Sequence, residues 1–156
     1  MVSPRARFAI HGLAFLATRP AGESVSFTRV FTYLRSWSDR LVLSKGYVSK
    51  IFQDLSRAGL VRAVPGRSGG YRLAGDPREV SLLDVLRVMD GVVPNECCLL
   101  ADGACSFQAR CGVLSVIDEA QQAFYRVLAG TSLAEMARRL PHPTSSALQT
   151  EIKHAF

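Results

Sequence analysis

The chain has 156 residues, enough for one domain with an appended element and too few for two large ones. A composition of 48% hydrophobic and 21% charged residues is an ordinary globular mix, and no stretch approaches the ~20 apolar residues that a membrane span requires. The net charge of +6 suggests a polyanionic partner and is unevenly spread: residues 1–72 hold twelve Lys and Arg against three Asp and Glu, whereas residues 73–156 hold seven against ten.

Arg5 and Arg7 precede an apolar stretch at residues 8–17, superficially like a signal peptide. His11 and Gly12 interrupt it, and Thr18-Arg19-Pro20 is a poor cleavage site. Ser3 as a cap and Pro4 at the first helical position predict instead a helix from about Pro4 to Ala17. The expected location is therefore the cytoplasm, where the four cysteines serve as thiols or metal ligands rather than disulfides. A second helix is expected to begin near Ser26 and to carry Val30, Phe31 and Leu34, followed by a polar, irregular stretch at residues 35–43.

The clearest helix follows. Ser44 caps it, Val48, Ile51, Phe52 and Leu55 recur at i, i+3, i+4 and i+7, and Gly59 stops it. Its other face shows Lys45, Tyr47, Ser49, Lys50, Gln53 and Arg57. A hairpin comes next: a strand at 60–64, a glycine-rich turn at 65–70 and a return strand at 71–73. Another helix opens with the capping-box-like Ser81-Leu82-Leu83-Asp84, buries Leu82, Val85, Leu86 and Met89, and ends at Gly91. Residues 94–111 form a loop that contains every cysteine. A longer helix is expected at 112–129, with Leu114, Ile117, Gln121, Phe124 and Leu128 on one side, and a short one at 132–140. The Pro/Ser/Thr-rich tail from Pro141 is expected to be disordered.

Helix, helix, capped helix and Gly-rich hairpin is the order of a winged helix-turn-helix, so the expected fold is mainly α with a small β-hairpin wing. The third helix of such a domain presents its N-terminal residues to base edges in the major groove of double-stranded DNA, here Ser44, Lys45, Tyr47, Ser49 and Lys50. The hairpin tip, Arg67, Ser68, Gly69 and Gly70, can follow the backbone or enter the minor groove, glycine permitting close approach and arginine supplying charge.

Cys97, Cys98, Cys105 and Cys111 fall within fifteen residues, without a Cys-x-x-Cys pair. A zinc ribbon or thioredoxin-like site fits that spacing badly, and loose spacing in a loop suits an iron–sulfur cluster. No nucleophile–base set, phosphate loop or His-x-x-x-His spacing points to an enzyme. Gly66 to Gly70 lead into a strand rather than a helix, and His142 and His154 lie in the tail.

The runs Tyr47-Val48-Ser49-Lys50-Ile51-Phe52-Gln53-Asp54-Leu55, Ala58-Gly59-Leu60-Val61, Gly66-Arg67-Ser68-Gly69-Gly70-Tyr71-Arg72-Leu73 and Ser81-Leu82-Leu83-Asp84-Val85 resemble the Rrf2 family of bacterial winged-helix regulators, over roughly residues 3–140. The stretch at 31–43 is several residues longer than is usual there. The resemblance implies a homodimer held by the helix at 112–129, binding to a near-palindromic operator, and a [2Fe–2S] or [4Fe–4S] cluster. It implies Cys105 and Cys111 as ligands, with Cys97 as the third because Glu96-Cys97 is similar to the Glu-Cys pair of nitric-oxide-sensing and iron-responsive members. Cys98 is the alternative to Cys97.

For the fourth ligand, Leu114 stands where some members carry a histidine, and Arg7 where others carry an acid from the partner subunit. His11 matches a histidine ligand of some members. Asp102 or Cys98 could also complete the site, and His11 could simply face the core or the dimer. The expected organisation is a winged-helix domain at 1–92, a cysteine loop at 93–111, a dimerisation helix and short terminal helix at 112–140, and the tail at 141–156. The expected function is a transcription regulator, a repressor, controlled by a cluster that senses nitric oxide, iron or redox state. The alternative is a cluster-free thiol–disulfide regulator.

Overall fold

The computed structural model describes residues 2–38, 43–66, 69–91 and 111–140. Six helices and one hairpin follow in the order α1 (Pro4–Ala17), α2 (Phe27–Ser36), α3 (Lys45–Arg57), β1 (Val61–Val64), β2 (Gly70–Leu73), α4 (Leu82–Asp90), α5 (Leu114–Gly130) and α6 (Leu133–Arg139). This is the winged-helix arrangement expected. No helix among the described residues is long and apolar enough to cross a membrane.

Five of the six helices begin at a serine: Ser3, Ser26, Ser44, Ser81 and Ser132 each accept a bond from the backbone N–H three residues on. Each satisfies one of the N–H groups that a helix start leaves without a partner. At α4 the box closes fully, since Asp84 also accepts from the Ser81 N–H at 3.0 Å. Ser3 does more than cap α1. Its hydroxyl and N–H both donate to the Asp90 carboxylate, at 2.5 and 3.0 Å, joining the start of α1 to the end of α4. Gly91 then stops α4 in the left-handed conformation, at φ 63°.

The core is built around α1, which packs against α2, α3, α4, α6 and β2. Phe8, Leu13, Phe15 and Leu16 of α1 meet Val30 and Leu34 of α2 and Val48, Ile51, Phe52 and Leu55 of α3 in one cluster. Gly12 lets α1 and α3 come together, because a Cβ there would lie 2.9 Å from the Phe52 ring. The wing strands pair antiparallel with Val61 opposite Leu73 and Val64 opposite Gly70. Val25 adds a third rung, exchanging two 2.8 Å bonds with Tyr71 and tying the wing to the start of α2.

The starts of α4 and α6 are laced together by Leu82 N–H to the Thr131 carbonyl and Leu133 N–H to that of Val80, each 2.9 Å. Leu133 and Leu140 thereby return to the main core. Helix α5 differs from all the others. It packs on α4, starts at Val113 without a side-chain cap, and buries only Gln121. The expected stripe is corrected at one position: Phe124 is 39% exposed and Tyr125 is half-buried in its place. After Gln121 the inward face continues at i+4 rather than i+3, and either step fits a 3.6-residue repeat.

Candidate nucleic-acid interface and sensor site

Helix α3 buries Val48, Ile51, Phe52 and Leu55 completely, which fixes its rotation and turns the other face outward. Ser44, Lys45, Tyr47 and Lys50 are exposed at its N-terminal end, and Ser49 is half-buried. The Ser44 hydroxyl accepts from the Tyr47 N–H at 3.1 Å, so it holds the helix start as well as facing outward. Tyr47 leans edge-on against Phe8 of α1, ring centroids 6.3 Å apart, which limits its freedom. Five of the nine residues expected to meet DNA thus cluster on one helix end.

Behind them lies an ion network that the sequence reading missed. Asp54, mostly covered, binds Arg5 of α1, Arg57 at 2.9 Å and Lys50 at 3.8 Å. The Lys50–Asp54 and Asp54–Arg57 spacings of four and three are readable as helix pairs. Arg5 joins from another helix, and no local pattern could have revealed it.

In the wing, Arg67 and Ser68 lie outside the described residues. Gly66 adopts φ 103°, and the Gly69 N–H closes the turn on its carbonyl at 3.0 Å. The other two glycines face the protein's own backbone. A Cβ on Gly69 would fall 2.2 Å from the Val64 carbonyl oxygen, and one on Gly70 2.0 Å from that of Val25. Gly70 also belongs to β2, not to the turn. Close approach is therefore needed here to build the wing.

Of the proposed cluster ligands, Cys97, Cys98 and Cys105, with Asp102, lie outside the described residues. Cys111 is half-buried three residues before α5. His11 is half-buried on α1, stacked on Trp37 with centroids 4.6 Å apart. Its Nδ1 is buried and has no hydrogen-bond partner among the described residues. Burial first, and the nearby Arg7 charge second, hold its pKa below the ordinary 6.5. The ring therefore stays neutral at physiological pH, the form in which imidazole ligates metals. His11 opens onto a cavity of about 470 Å³ with Arg7, Ile10 and the residues at 2–4. No group of three metal-ligating side chains forms among the described residues.

Residues 2–139 match the model of the Rrf2 family, described as iron-dependent transcriptional regulators. The chain belongs to the Rrf2 family. It is a transcription regulator of a DNA-binding family, not an enzyme. Protein aau3 of Rhizobium meliloti is 35% identical over 100 residues, a match covering 64% of this chain and 65% of that protein. YffB of Lactococcus lactis, described as an HTH-type transcriptional regulator, is 30% identical over 133 residues, covering 82% and 81%. Among solved structures the Rrf2 chain superposes on CymR, described as the global cysteine regulator of B. subtilis, with TM-score 0.70 and 22% identity over 90% of this chain and 98% of CymR. It is similar to T. potens IscR with TM-score 0.66 and 24% identity, covering 92% and 90%. At these identities the two structures establish the winged-helix fold.

Proposed function

We propose that this Rrf2 regulator is a homodimeric repressor of a near-palindromic operator, and that an iron–sulfur cluster held by Cys97, Cys105 and Cys111 with His11 of the partner subunit sets its affinity. The observation that carries the sensor reading is the His11 imidazole: kept neutral, at the mouth of an open cavity, with a buried Nδ1 that has no partner among the described residues. A buried polar atom without a partner costs about 1–3 kcal/mol, and a ligand bond removes that cost. The donor set of three thiolates and one imidazole also suits an iron–sulfur cluster. The homodimer reading rests on α5 and its cap, where Val113, Val116, Phe124 and Val127 are 39–66% exposed.

When bound, the cluster supplies a group that iron supply, nitric oxide or oxidants can alter. The protein does the rest. Cys111 sits at the root of α5, and His11 sits on α1, whose Phe8 touches Tyr47 and whose Arg5 holds Asp54 of α3. Joining Cys111 of one chain to His11 of the partner subunit fixes the recognition helices relative to the dimer axis. Two half-sites are met together only when those helices stand roughly 34–36 Å apart. Regulation then needs different operator affinities of the two forms.

The test is purification without oxygen, followed by visible absorption with iron and sulfide analysis. A brown protein with acid-labile sulfide is expected. The colour should be lost in Cys105→Ala and Cys111→Ala and altered in His11→Ala, with cluster-free protein binding operator differently in gel shift. A colourless protein with four titratable thiols after reconstitution replaces this reading with the thiol switch and leaves DNA binding intact.

A further inference from the structure

A second cleft, of about 540 Å³, lies at the C-terminal end of α1. It runs between the end of α1, the turn at residues 19–23, the outgoing end of β2 and the residues at 74–78, with Ala134 of α6 at its edge. Three arginines line it: Arg78, which is paired with Asp76, and Arg19 and Arg72, which are not paired with an acid among the described residues. Arg19 and Arg72 both have a buried Nε without a hydrogen-bond partner among those residues. The Arg19 guanidinium is stacked over the Phe15 ring, 4.9 Å from its centroid, which fixes its plane. The tip of Arg72 reaches beneath Gly22.

The acids of the cleft do not neutralise Arg19 and Arg72. Asp76 is committed to Arg78, which grips it through Nε at 3.1 Å and Nη2 at 2.8 Å while its backbone N–H donates at 2.8 Å. Glu23 makes no ion pair with either Arg19 or Arg72. Two guanidinium groups without an acidic partner among the described residues, lining one concave site and half-buried there, are unlike the solvated surface arginine. Their paired terminal amino groups are the donors that a planar carboxylate can meet with two parallel bonds.

We propose that this cleft is a binding site for a small organic dicarboxylate, one carboxylate taken by Arg19 and the other by Arg72. Such a ligand would tie the end of α1 to β2. Because Val25 and Tyr71 share a rung of the same sheet, its occupancy would reach the wing. A phosphate of bound DNA offers arginine a similar anionic partner, so the experiment separates the two sources. The site does not depend on the sensor reading.

Isothermal titration of the full-length protein with succinate, acetate and inorganic phosphate at constant ionic strength tests the site. Saturable succinate binding, one per chain and at least about tenfold tighter than acetate, is expected. Arg19→Met and Arg72→Met should each weaken it about tenfold or more. Arg72→Lys, which keeps charge and stem but loses the fork, should also weaken it, and Arg87→Met on α4 should not. Circular dichroism confirms that each variant is folded. Succinate binding that is absent, or unchanged in folded Arg19 and Arg72 variants, overturns the proposal. So does a second pattern: no succinate binding in the wild type, with both variants lowering affinity and salt slope for a random duplex, which makes these arginines DNA-backbone contacts.

Discussion

Helices α3 and α5 are both amphipathic, yet they close their apolar faces in different ways. In α3 four apolar side chains are fully buried and the outward face is polar and basic. In α5, four residues longer, the one buried side chain is Gln121, and Val116 and Val127 stay about two-thirds exposed. A helix whose apolar stripe is used up within its own chain can offer its other face to DNA. A helix with apolar surface left over calls for a second surface to cover it. On the proposed function, the difference divides the molecule into a part for reading DNA and a part for assembly.

The largest effect should come from the α3 side. Phe52→Ala removes a fully buried ring that packs beneath Gly12 and against Tyr71, and should cost about 3–5 kcal/mol in urea unfolding. Val127→Ala on α5 should change unfolding of the isolated subunit by less than about 0.5 kcal/mol. Equal costs would show that α5 is not an uncovered surface. Next, Val116→Asp and Val127→Asp should each raise the dimer dissociation constant at least about tenfold in sedimentation, without changing the helical content. A dimer that survives both variants would move the assembly surface off this face.

How much of this was legible in the sequence follows the same division. The α3 stripe, the serine caps and Gly91 are local signals, repeated every three or four residues or set at a helix end, and each appeared where it was expected. Contacts between distant segments carried no such signal: Arg5 on Asp54, Ser3 on Asp90, and Val25 as a third rung beside Tyr71. Gly70 shows why. Its missing side chain suggested an approach to DNA, but the group pressed against it is the Val25 carbonyl, 45 residues earlier. On α5 the period alone could not choose between Phe124 and Tyr125 for the inward face. For the sensor, His11 was singled out by family resemblance, and its neutral state and a nitrogen without a partner among the described residues are properties of packing that no residue spacing encodes.

A smaller effect is expected at α4, the helix on which α5 rests. Ser81→Ala breaks the capping box and should cost about 1 kcal/mol. It should also flatten the acid limb of the stability profile. Hydrogen bonds from Ser81, with Arg87 adding its charge, hold the Asp84 carboxyl below its ordinary 3.8. The native state therefore favours the carboxylate, so this contribution is fully present above about pH 4 and is lost as pH falls through the lowered native value. In Ser81→Ala the Asp84 value returns toward the ordinary one, and less stability remains to be lost on acidification. An acid limb identical to that of the wild type would mean that the cap does not control this carboxyl.

A modest effect on stability, and the sharpest on the reading face, should come from Asp54→Asn. Its partners Lys50 and Arg57 are largely exposed, with 60% and 69% of their side chains accessible, and exposed pairs contribute roughly 0.2–1 kcal/mol each. Losing them together with Arg5 should shift unfolding by no more than about 1–2 kcal/mol. For DNA the sign reverses. The carboxylate lies one turn behind Lys50 on the helix expected to enter the major groove, where it repels phosphates and partly neutralises three cations. Removing it should strengthen binding to random duplex DNA and steepen the salt dependence by up to about one charge. Operator binding should gain less, because Arg5 no longer holds α3 against α1. The ratio of operator to random-duplex affinity should therefore fall. If Asp54→Asn instead weakens random binding, Asp54 acts mainly by aiming Lys50, and the basic face of α3 depends on its ion network as much as on its charge.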